Sequence, residues 1–64
     1  MPTYRVSIPY YFFQEVEVEG DDDLEAALKA LADAPESMPL LEGHATECYR
    51  TETMEGVKAN KIAN

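Results

Sequence analysis

The sequence predicts a small α+β protein: an antiparallel sheet of three or four strands with one helix packed on one face, in the order ββαβ or ββαββ. Three observations carry that expectation. Apolar and polar residues alternate through residues 3–19, the period of a half-buried strand. The spacing then changes to that of an amphipathic helix over residues 22–34. The 64 residues make one domain, 1–64, and a chain of this size buries only about 60% of the surface its unfolded form exposes, so its core is small.

In the first strand, about 3–8, Tyr4, Val6 and Ile8 alternate with Arg5 and Ser7; in the second, about 12–19, Val16 and Val18 alternate with Glu15, Glu17 and Glu19. A single strand over this whole stretch would run roughly 55 Å at about 3.3 Å per residue, too long for the domain. The chain must fold back, and Pro9 is the expected break in the ladder. The even-numbered apolar residues of both arms share a face if the connection has an odd number of residues or contains a bulge.

Gly20 ends the second strand, and the helix follows. Leu24, Leu28 and Leu31 stand at i, i+4 and i+7 with Ala27 beside them, a narrow apolar stripe. Asp22 and Glu25 have capping-box spacing, and acids in the first turn suit the positive end of the helix dipole. Pro35 steers Ala34 away from helical angles, so the helix ends near 33 or 34. Residues 35–43 read as a loop with two prolines that tucks Leu40 and Leu41 against the sheet. Residues 45–53, rich in Thr and Tyr, read as a third strand. Glu55-Gly56 reads as a turn, and residues 57–62 as a short fourth strand or a frayed tail.

The net charge is −8, and it is unevenly placed. All thirteen acids lie between Glu15 and Glu55, where only Lys29 and Arg50 interrupt them, leaving that block at −11. Such a surface repels nucleic acids and anionic membranes and attracts basic proteins. No apolar run approaches the roughly 18–20 residues of a membrane span, and no signal-peptide pattern opens the chain. The lone cysteine, Cys48, forms no intramolecular disulfide and suits a reducing compartment. A cytoplasmic location is therefore expected.

Catalytic and metal-binding chemistry find little support. On an extended strand His44 and Cys48 share a face but stand about 13 Å apart, beyond hydrogen-bond reach. One His and one Cys fall short of a zinc set. The Asp21–Asp22–Asp23 run lacks the alternation of a calcium loop and is better explained as a helix start. The three glycines are isolated, so there is no phosphate loop. Neither an enzyme nor a cofactor is expected, and no metal site.

The acidic strand carries more. Alternate residues on a strand point the same way about 6.7 Å apart, so Glu15, Glu17 and Glu19 form a row. Successive phosphates of a B-DNA strand stand at a similar through-space separation, roughly 7 Å. Asp21, Asp22, Asp23 and Glu25 extend the row into the helix start, and Glu47 and Glu52 add to it from the third strand. Glutamate–valine alternation is also what an ordinary solvated strand looks like, but such surfaces intersperse both signs of charge. Among the four aromatics at 10–13, pleating sends Tyr10 and Phe12 one way and Tyr11 and Phe13 the other. One pair completes the core. The other either anchors a protein interface or is covered by the proline-rich loop, the C-terminal segment or a second copy.

A small, strongly acidic α+β chain without a catalytic set, carrying "EVEVEGDDDLEAAL" at 15–28, resembles the phage-encoded anti-CRISPR proteins that act on type I surveillance complexes. The likeness lies in size and charge along the whole chain, with no motif aligned residue by residue. It implies a stoichiometric inhibitor in an infected bacterial cytoplasm. Such an inhibitor blocks target-DNA binding by mimicking DNA in a basic channel of a CRISPR effector subunit, as a monomer rather than a homodimer. Arg5, Lys58 and Lys61 depart from an anionic surface and are expected to face away from the partner. The competing expectation is a structural or regulatory module that dimerises through its aromatic strand.

Overall fold

The computed structural model describes residues 1–43 and 45–64. Strands β1 (Thr3–Pro9) and β2 (Phe13–Glu19) form a hairpin, helix α1 spans Asp23–Asp33, and three further strands follow: β3 (Ser37–Pro39), β4 (Glu47–Tyr49) and β5 (Lys58–Ala63). The main sheet has the antiparallel order β2-β1-β5, and β3 and β4 make a separate two-stranded ribbon. The α+β class with one helix against a small antiparallel sheet is the one the sequence predicts.

The hairpin connection, residues 10–12, has an odd count, so Tyr4, Val6 and Ile8 lie opposite Val18, Val16 and Gln14 on one face. That face packs on the helix. Val6 and Ile8 are fully buried, and Tyr4 nearly so. The helix contributes Ala26, Ala27, Ala30 and Leu31, while Leu24 and Leu28 stay half or more exposed. Leu31 and Ala27 of the expected stripe are buried, and the expectation is corrected at Leu24 and Leu28. The sheet already fills the interlayer space with Tyr, Val and Ile, and facing positions pack to density when large side chains meet small ones. Gly20, at the turn into the helix, reflects the same close approach: a Cβ there would stand 3.0 Å from the Ala26 backbone nitrogen.

The cap is the expected one. Asp22 accepts a hydrogen bond from the Glu25 amide at 2.8 Å, and the helix ends at Ala34, before Pro35. Tyr10 donates its hydroxyl to the Pro35 carbonyl and stacks on Phe12 with ring centroids 5.5 Å apart, tying the hairpin tip to the end of the helix.

The second half of the chain differs from expectation. The segment read as a loop contains β3, and the segment read as a third strand keeps only Glu47–Tyr49, paired locally with β3. Neither joins the main sheet. The third strand there is β5, the segment read as a short strand or tail. Gly56, at φ +79°, is the third residue of a turn closed by the Val57 amide on the Met54 carbonyl at 3.1 Å. That type II geometry needs a positive φ at this position, and it reverses the chain into the open side of β1. Leu40 is half-buried and Leu41 is exposed, and neither belongs to the core.

Candidate functional site

The helix covers one face of the main sheet, and neither β3 nor β4 packs against the other. This open face collects the odd-numbered residues of the hairpin. Phe13, Glu15, Glu17 and Glu19 run along β2, with Ser7, Arg5 and Thr3 beside the three glutamates on β1. Lys58 lies opposite Ser7 on β5, and Asn60 opposite Arg5. The glutamates are exposed and, at the strand repeat of about 6.7 Å, form the expected row.

Two of the three cations, Arg5 and Lys58, do not face away from the row. Arg5 sits directly across from Glu17, its Nη2 3.6 Å from Glu17 Oε2. Lys58 is on the same face, two strands from Glu15, roughly 10 Å at the usual interstrand spacing. Only Lys61, paired with Tyr4, belongs to the helix side. Their position follows from the register, because odd residues of β1 must share the face of odd residues of β2. Among the described residues, Glu17 is thus a partly compensated charge between two glutamates that form no ion pair.

The other predicted acids divide. Asp21 is exposed at the end of the row, but the chain then turns toward the helix side of the sheet. Asp22 is engaged as the cap, and Glu25 Oε1 holds Lys29 Nζ at 3.2 Å, while Asp23 remains exposed in the first turn. Glu47 lies on the β3–β4 ribbon, where it accepts a bond from Ser37 Oγ at 3.0 Å, and Glu52 lies beyond β4 outside any strand. These last two do not extend the row, because β5 and not the 45–53 segment completes the sheet.

Tyr11 at the hairpin tip is 80% exposed and Phe13 is 65% exposed. Phe13 shares an open concavity with Pro9, Tyr10, Tyr49 and Arg50. Tyr49, 72% exposed, is an aromatic that sequence reasoning missed; its place in a presumed third strand gave no signal of it. Burial pushes the Tyr10 hydroxyl above its ordinary pKa, with the Arg50 cation opposing the shift.

A second concavity, of about 160 Å³, lies between β2 and the end of the helix, lined by Val16, Val18, Ala30, Ala34, Pro35 and Met38 among others. It too was not legible, since it depends on the helix and the ribbon taking their places. Cys48 is a half-buried free thiol, and His44 lies outside the described residues. Among the described residues no cluster of three His, Cys, Asp or Glu side chains could hold a metal ion, and no helix is long and apolar enough to cross a membrane. No protein-family model, curated protein or solved structure compared with this chain matches it.

Proposed function

We propose that this chain is a non-enzymatic, stoichiometric inhibitor whose acidic sheet face occupies a basic nucleic-acid-binding channel by DNA mimicry. The partner suggested by its likeness to anti-CRISPR proteins is a type I CRISPR surveillance complex. The observation that supports this reading is the exposed row Glu15, Glu17 and Glu19 on a sheet face that the helix leaves open. Its carboxylates repeat at a distance close to that of backbone phosphates.

The test is target-duplex binding by the purified complex with and without this protein over a salt series. Competitive mimicry gives loss of duplex binding at equimolar inhibitor, relieved by excess duplex or by salt. Glu15→Lys combined with Glu17→Lys abolishes the effect while the fold survives, since both side chains are exposed. Inhibition that persists in the folded double variant refutes the reading.

One observation favours a second reading. Tyr11, Phe13 and Tyr49 lie exposed around one end of the sheet, more aromatic surface than a free monomer needs to show. In an interaction module these would anchor a dimer. A mass that rises with concentration and falls back to the monomer in Tyr11→Ala would select it.

A further inference from the structure

The free edge of β2 has a definite hydrogen-bonding pattern. Gly20 donates its amide to the Pro2 carbonyl at 3.1 Å, one step beyond the Thr3–Glu19 pair. Bonded and non-bonded pairs alternate in an antiparallel ladder, so Tyr4–Val18, Val6–Val16 and Ile8–Gln14 are the bonded ones. The amides and carbonyls of Phe13, Glu15, Glu17 and Glu19 therefore point away from β1. The Thr51 amide agrees: it reaches the Pro9 carbonyl from the other side of β1, at 3.2 Å. At one end the edge is closed, because Lys29 Nζ donates to the Glu19 carbonyl at 3.0 Å. From Phe13 to Glu17 no described strand pairs with it.

We infer that this edge binds an extended basic segment of a protein partner as a fourth strand of the main sheet. The backbone groups of Phe13, Glu15 and Glu17 supply the ladder. Alternate side chains of the added strand face opposite ways. Those on the open face lie beside Glu15, Glu17 and Glu19 and are lysine or arginine. Those on the helix side lie over the groove of Val16, Val18, Ala34, Pro35 and Met38 and are apolar. Main-chain bonds supply affinity and the two rows supply selectivity, as in other strand-addition complexes.

Charge chooses the occupant. A second copy pairing antiparallel through β2 sets glutamate against glutamate, and like charges directly opposite are destabilising. A basic strand meets opposite charges instead. The inference rests on the reading that the partner is basic and adds the form in which its cations arrive.

The experiment titrates the full chain, labelled for amide exchange, with a synthetic seven-residue peptide of alternating lysine and valine. A control peptide is N-methylated at every second amide, on the edge that would face β2. The plain peptide should slow exchange at the Glu15 and Glu17 amides. The methylated one, with equal charge, should bind about tenfold more weakly or worse, having lost main-chain bonds. Glu17→Pro removes an outward donor that the β1 ladder does not use and should lose the plain peptide, whereas Glu17→Gln, which keeps that donor and loses one carboxylate, weakens it less and still shows protection at the Glu15 amide.

Equal binding of both peptides without protection at Glu15 and Glu17 overturns the edge inference and leaves the acidic-face reading standing. Failure of both to bind overturns it as well. Protection of those amides in the free chain, together with a dimeric mass, assigns the edge to a second copy and overturns it too. The surveillance-complex assay decides the acidic-face reading separately.

Discussion

Replacing Arg5 by glutamine should make this protein a better ligand for a basic surface. Arg5 and Glu17 meet at 3.6 Å with side chains 50% and 60% exposed. An exposed pair of this kind is worth about 0.2–1 kcal/mol, so the fold loses little. For the partner the exchange is favourable. A partner cation paired with Glu17 from outside the sheet would stand roughly 7 Å from the guanidinium, where two unit charges in water repel by about 0.6 kcal/mol. That alone is about threefold in affinity. Release of Glu17 from its intramolecular competitor adds to it, so the expected gain is about three- to tenfold. On the proposed reading, the assay is displacement of target duplex from a type I surveillance complex, comparing midpoints for the wild type and Arg5→Gln at low salt. The difference should vanish near 1 M salt, where the screening length falls to about 3 Å. An unchanged or weaker Arg5→Gln would refute the reasoning, because Arg5 would then be a contact in its own right within a face of mixed charge.

Two further predictions concern the scaffold. Gly20→Ala places a methyl group 3.0 Å from the Ala26 nitrogen and 3.3 Å from its Cα. Backbone cannot swing aside, so the variant should lose about 1–3 kcal/mol, seen as a lower urea midpoint with an unchanged slope; an unaltered midpoint would mean that the helix has room to move. Tyr10→Phe should lose about 0.5–1.5 kcal/mol with the bond to the Pro35 carbonyl. Because the Tyr10 pKa is raised in the fold, its neutral form is favoured there. The stability this contributes is complete below the ordinary value of 10.0 and is lost as pH rises through the higher folded value. The wild type should therefore lose stability more steeply than Tyr10→Phe in thermal melts above pH 10.

Local features were legible in the sequence and long-range ones were not. The hairpin and the helix announce themselves through period, cap and proline, all of which act over a few residues. The acidic row follows from the pleat alone; the split between Tyr10 with Phe12 and Tyr11 with Phe13 matches the alternation, although residues 10–12 form the hairpin connection and not a strand. Which strand completes the sheet is a tertiary matter. Residues 45–53 have the composition of a strand, but composition does not name a pairing partner, and Ser37–Pro39 lies nearer in sequence than β1 does. The leucine stripe misled at Leu24 and Leu28 because hydropathy ranks leucine above alanine, whereas a layer filled by Tyr4, Val6, Ile8 and Leu31 takes alanines at the remaining helix positions. Arg5 was misplaced although an odd-count connection already puts it on the face of the glutamates; its pairing with Glu17 came only with the β1–β2 register. The same register, with the Gly20 bond that sets its phase, was needed to see that the Glu15 and Glu17 amides point outward.

Ala26, Ala27 and Ala30 also decide how thick the molecule is. With three alanines and a single leucine, Leu31, between helix backbone and strands, the Cα trace measures 39 × 21 × 16 Å. Leucines at those alanine positions would lift the helix and thicken the shortest of these dimensions. A slab can slide lengthwise into a slot shaped for a nucleic-acid duplex, where a rounder protein of equal mass would only cap the mouth. On the proposed reading, clearance matters more to this protein than a deep core. That preference makes sense of a helix that turns alanines inward and leaves two leucines in water.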